Sequence, residues 1–303
     1  MSVPGLRCIL CAAPALVLAV PSQALAHGDD VPISRLGSAW SLPPAVLAGA
    51  AVALALFAQA FLRLRGRGRA DHAGWDRAAL FGLGVAVLTL ALVSPLDAAG
   101  EDYLLSAHML QHVAVGDLAP ALLVTAVRGP LVFFLLPQRL LRALAQPRWL
   151  RAVLSFLLRP AVSLCAWALA IACWHVPAVY DYALAHGTVH DLEHLSFVLA
   201  GLLVWSQLVD PARRAELSVA GRIVLAVAVF AAGQVLADVL VFSFGSLYPA
   251  YAAQDERLFG LSPRADKQLA GVVMMGEQLL TLGACVAFLL RSRAARLSRQ
   301  ALA

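Results

Sequence analysis

The chain has 303 residues, 61% hydrophobic and 14% charged, with a mean hydropathy of +0.79 and a net charge of +5. That composition excludes a soluble globular domain: several apolar runs reach about 18 residues or more, enough to cross a hydrocarbon core of about 30 Å as helices. The basic residues are almost all arginines set between those runs, so they read as topology signals and not as a nucleic-acid surface, and the alternating segments of a membrane β-barrel are absent.

In chain order, residues 1–26 read as a secretory signal. Arg7 supplies the positive start, residues 9–20 the apolar core, and Ala24-Leu25-Ala26 an A-x-A cleavage site. Cleavage leaves residues 27–303 as a single integral-membrane domain beginning at His27, whose amine and imidazole together suit copper; an uncleaved first helix is the alternative. Cys8 and Cys11 form a C-x-x-C inside the signal. Cys165, Cys173 and Cys285 fall in or at the ends of apolar runs, without disulfide-framework or zinc-ribbon spacing, and read as packing residues.

Hydropathy predicts about seven spans, near residues 44–62, 78–94, 104–126, 160–176, 189–208, 222–243 and 267–290. The expected fold is all-α, a polytopic transmembrane helical bundle. Arginines crowd the segments after the first, third, fifth and seventh spans: Arg63 to Arg77, Arg128 to Arg159, Arg213 to Arg222, and Arg291 to Arg299. The other side holds only Arg35, Arg257, Arg264 and Lys267. The positive-inside rule therefore places the N-terminus outside and the C-terminus inside. The inside segment 127–159 mixes arginine with leucine and tryptophan, the pattern of an amphipathic helix lying on the membrane face.

The polar residues collect at one depth. The third span opens with His108-Met109-Leu110-Gln111-His112, the fourth ends with Trp174-His175-Val176-Pro177, and the fifth opens with His190-Asp191-Leu192-Glu193-His194. His108 and His112, and His190 and His194, are four residues apart, so each pair shares a helix face. Imidazole is costly in hydrocarbon and is a common metal ligand. The pairs, with His175, Glu193 and Met274 as further ligands or their supporting partners, are the expected metal site. Polar glue between helices is the bland alternative for each pair alone. The H-x-x-E-H spacing of His190 to His194 also occurs in inverted zinc-peptidase motifs, but it is short. Asp238 is a further acid at this depth, whereas Asp117 and Glu277 lie deeper with no basic partner in the spans.

These motifs, together with Ala119-Pro120, Tyr180-Asp181, Leu195-Ser196-Phe197, Gly201, Trp205 and Asp266-Lys267-Gln268-Leu269-Ala270-Gly271 followed by Met274, resemble the CtaG-type cytochrome c oxidase assembly factors of bacterial membranes. The resemblance covers roughly residues 75–290. It implies a multi-pass protein of the bacterial plasma membrane, not an enzyme, that serves a haem–copper oxidase, with the oxidase subunits as partners and a role in copper insertion. Val113-Ala114-Val115-Gly116-Asp117 departs from the family's more uniformly apolar third span. The leading expectation is thus an assembly factor that binds copper at the outer face. A haem-binding redox protein, a copper transporter and a metal-free scaffold are the competing readings. The sequence sets no oligomeric state.

Overall fold

The computed structural model describes residues 31–254 and 256–301; the expected signal 1–26, with Cys8, Cys11 and the start at His27, lies outside them. All regular elements among the described residues are helices, without strands. Six helices are long and apolar enough to cross a membrane: Pro44–Gly66, Ala70–Val93, Leu105–Ala126, Gly187–Val209, Val219–Phe242 and Pro263–Ala295. These are the first, second, third, fifth, sixth and seventh spans.

The fourth expected span is the helix Pro160–Trp174, which begins at a sharp bend. Arg148–Leu157 and Pro160–Trp174 together make one hydrophobic unit, bent by 74° between them. Proline disfavours a helical conformation in the residue before it, and Arg159 is extended at ψ 135°. The membrane portion is therefore only 15 residues, about 22 Å at 1.5 Å per residue. Counted as one span, the pair brings the total to seven. The amphipathic segment forms two short helices, Gln138–Ala145 and Arg148–Leu157, and Trp149, Val153 and Phe156 stand exposed on the second.

The third and fifth spans form the centre. Their most apolar windows are 61% and 67% buried within the protein, against 22% to 33% for the other four. The outer helices turn Leu54, Leu62, Leu83, Val224, Val235, Leu280 and Phe288 outward, the apolar rim that lipid tails require.

Three short helices roof the histidine end: Pro95–Asp102, Pro177–Leu184 and Pro249–Ala252. Each begins with proline, whose missing N–H is harmless in the first turn. The first is also capped by Ser94, whose hydroxyl accepts from the Leu96 N–H at 3.4 Å.

The Asp266-Lys267-Gln268 motif ties helix ends together. Asp266 accepts from the Leu105 and Ser106 N–H groups at 2.8 and 3.0 Å and from the Ser106 hydroxyl at 2.5 Å. A carboxylate thus caps the positive end of the third span. Lys267 donates to the carbonyls of Ser243 and Gly245 at 2.6 and 2.9 Å, just past the sixth span, where a cation is favoured. These bonds fix the height of the third span, and hence of its histidines, against the seventh and sixth.

Candidate metal centre

On the third span His108, His112, Gly116 and Pro120 follow one another at intervals of four, so they form one face. Pro120 has no N–H to bond the Gly116 carbonyl four residues back, and the helix widens into a π turn over Ala114–Leu118. On the fifth span Gly201 lies seven residues, about two turns, beyond His194. The two faces meet at the glycines: a Cβ on Gly201 would come within 2.0 Å of the Gly116 oxygen and 2.9 Å of Pro120 Cγ. This close approach, one turn from His112 and two from His194, draws the two pairs face to face. His108, His112, His190 and His194 each offer a nitrogen, all four atoms lie within 4.8 Å of one another, and all four residues are buried.

The hydrogen bonds around this cage fix which nitrogens carry protons. The Tyr251 hydroxyl donates to the Gly100 carbonyl at 2.7 Å, so its oxygen accepts from His108 Nδ1 at 2.8 Å. The Tyr180 hydroxyl, 3.0 Å away, donates to Tyr251 as well. Burial holds both phenols above the usual tyrosine range, and so they keep their protons. The Glu101 carboxylate accepts from His190 Nδ1 at 2.7 Å. With both Nδ1 atoms protonated, neutral His108 and His190 each keep their lone pair on Nε2, and these two atoms lie 3.3 Å apart. Two nitrogens bound at about 2.0–2.1 Å to one tetrahedral ion would be about 3.3 Å apart.

The remaining atoms of the cage lack partners. Both ring nitrogens of His112, Nε2 of His194 and Oε1 of Glu193 are buried without a hydrogen bond. Buried polar groups are ordinarily paired, and a cation held by one ring nitrogen from each histidine would satisfy the lone pairs of His112 and His194 that lack a donor. The donor set, four imidazoles and an adjoining carboxylate, suits a first-row transition metal such as copper.

The other expected site residues divide. Glu193 comes against His112 at 3.6 Å. His175 adjoins the cage from the end of the fourth span, its ring centroid 5.9 Å from that of His112. Met274 is buried in an apolar cluster with Met109, Val113 and Tyr180. Asp238 and Cys173 are exposed, and so is His186. Asp117 accepts from the indole N–H of Trp205 and from Thr281 at 3.2 Å, so the acid that departs from the apolar pattern is a buried, bonded link between the third, fifth and seventh spans.

Glu101 and Tyr251 are the supporting residues that spacing alone did not single out. Both lie in nominal loops, and no periodicity connects them to the histidines. Gly100, beside Glu101, is needed because a Cβ there would come within 2.9 Å of the His108 backbone. One turn away, Asp97 accepts from Gln111 Nε2 at 2.5 Å; burial, then the nearby Glu101, pushes its carboxyl up to about 7.

Residues 55–296 match the family model described as cytochrome c oxidase caa3 assembly factor (Caa3_CtaG). No curated protein and no solved structure matches the chain.

Proposed function

The chain belongs to the cytochrome c oxidase caa3 assembly factor family, and from that premise we propose that it takes up copper in the four-histidine cage and delivers it to an oxidase subunit at the outer face of the bacterial plasma membrane. The carrying observation is the convergence of His108, His112, His190 and His194 within 4.8 Å, with ring nitrogens left unpaired in a buried site. Copper is here the cargo. The arginine-rich segments lie at the other end of the spans, which by the positive-inside rule turns the cage outward, towards a copper-receiving subunit.

The geometry also weighs on the competing readings. Four imidazoles around one point leave no slot for a macrocycle, which favours a bare ion over haem. A hydrolytic zinc site keeps one position open for water, whereas four nitrogens already complete a tetrahedral set. These features support holding and release of an ion over catalysis.

The test is complementation of cells lacking this chain with the wild type or with His190→Ala/His194→Ala. The variant is expected to yield oxidase that contains its subunits and haem but is deficient in copper. Oxidase with its full copper content from variant cells would leave only the scaffold role.

A further inference from the structure

Beside the cage, His175 and Met109 make a contact that ordinary hydrogen bonding does not explain. His175 Nδ1 lies 2.8 Å from the Ile171 carbonyl oxygen. A carbonyl only accepts, so Nδ1 carries the proton and Nε2 carries a lone pair. That lone pair faces the Met109 sulfur at 3.3 Å. A thioether has no proton either, so two electron-pair donors are pressed together. Both residues are deeply buried, His175 at 6% and Met109 at 0% exposure. Protonating Nε2 would create a buried cation, yet among the described residues His175 has no carboxylate partner. Its ring neighbours are His112, Tyr180 and Phe197.

We propose that His175 Nε2 and Met109 Sδ form a second metal position, separate from the four-histidine cage and suited to a soft monovalent cation, Cu(I). Thioether and imidazole together select Cu(I) over harder ions. With metal–nitrogen and metal–sulfur bonds of about 2.0 and 2.3 Å, a 3.3 Å separation requires a bent unit of about 100°, which leaves a side open for a third ligand. The His112 ring lies 5.9 Å from that of His175, with both ring nitrogens unpartnered. A neutral imidazole has one lone pair, so His112 serves the cage or the soft position, one at a time. It is therefore the residue through which an ion passes between them. Met274, at 5% exposure, is buried in the same apolar cluster as Met109. The passage step rests on the cage being a copper site; the N,S pair does not.

The experiment titrates Cu(I) into the full chain in detergent under reducing conditions, with every cysteine replaced by serine. Bicinchoninate is the competitor, and copper X-ray absorption reads the ligands. The wild type is expected to bind two ions and to show a sulfur scatterer at about 2.3 Å. Met109→Leu, a volume-conserving change that leaves the fold in place, is expected to lose one ion and the sulfur signal. His194→Ala is expected to lose the other ion and keep the sulfur. No sulfur scatterer in the wild type, or one that survives Met109→Leu, overturns the inference while leaving the cage intact. A single ion lost in Met109→Leu but unaffected by His194→Ala upholds the N,S pair and overturns the cage. No bound ion in the wild type overturns both.

Discussion

Gly201→Ala tests the claim that helix approach builds the cage. The added Cβ would sit 2.0 Å from the Gly116 oxygen, whereas a carbon–oxygen contact needs about 3.3 Å. The backbone carbonyl cannot swing away as a flexible side chain would, so the third and fifth spans must part by about 1.3 Å there. Overpacking of this kind costs about 1–3 kcal/mol, too little to unfold the bundle. It is enough to spoil the cage, because ligand distances tolerate only about 0.2 Å. The fifth span carries His190 and His194 with it, two turns away. Cu(I) affinity, measured by bicinchoninate competition, is expected to fall at least tenfold while the protein remains folded by its thermal transition. Gly283→Ala is the control, since a Cβ there meets nothing within 4 Å. Wild-type copper affinity in Gly201→Ala would refute the reasoning, since the cage would then not depend on this approach.

The proton-bearing supports give a second prediction. Tyr251→Phe removes the acceptor of His108 Nδ1 and is expected to weaken copper binding by about 10- to 100-fold, the usual loss for such a partner; an unchanged Kd would show that the tautomer is set elsewhere. Asp266→Ala removes three bonds at the start of the third span and is expected to cost about 3 kcal/mol, read as a lowered Tm in detergent. Asp97 sets a pH dependence. Its carboxyl is raised from the ordinary 3.8 to about 7, so the folded state holds the proton more firmly than the unfolded one. Its contribution is full below about pH 4 and is lost as pH rises to about 7. Glu101, His190 and Asp191 face the same carboxyl. Asp97→Asn should flatten that slope in a series of thermal scans, and an unaltered slope would assign it to another group.

The bundle was legible because a membrane span needs only length and apolarity, and the histidine pairs because intervals of four name a helix face. The same logic extends from His112 to Gly116 and Pro120, which is why the face that packs is the face that carries the ligands. The break at Arg159 has a local signal in Pro160, where the expected fourth span begins, but the sequence does not give its 74° angle. Glu101 and Tyr251 reach the cage from short roof segments, and Tyr251 joins His108 from 143 residues away. Only the folded chain brings them together. Depth carries no direction: Asp238, at the expected depth, stands exposed, and Met274 is buried in the apolar cluster that holds Met109. The Asp266-Lys267-Gln268 motif was readable as letters, but its work in joining helix ends needed the partners at residues 105, 106, 243 and 245.

The most direct measurement is the copper bound per molecule of purified chain under reducing conditions, for the wild type and for His108→Ala/His112→Ala. The account predicts at least one tightly held ion in the wild type and loss of cage copper in a variant that stays folded. A wild type without copper, or a variant that binds as much as the wild type, would contradict it.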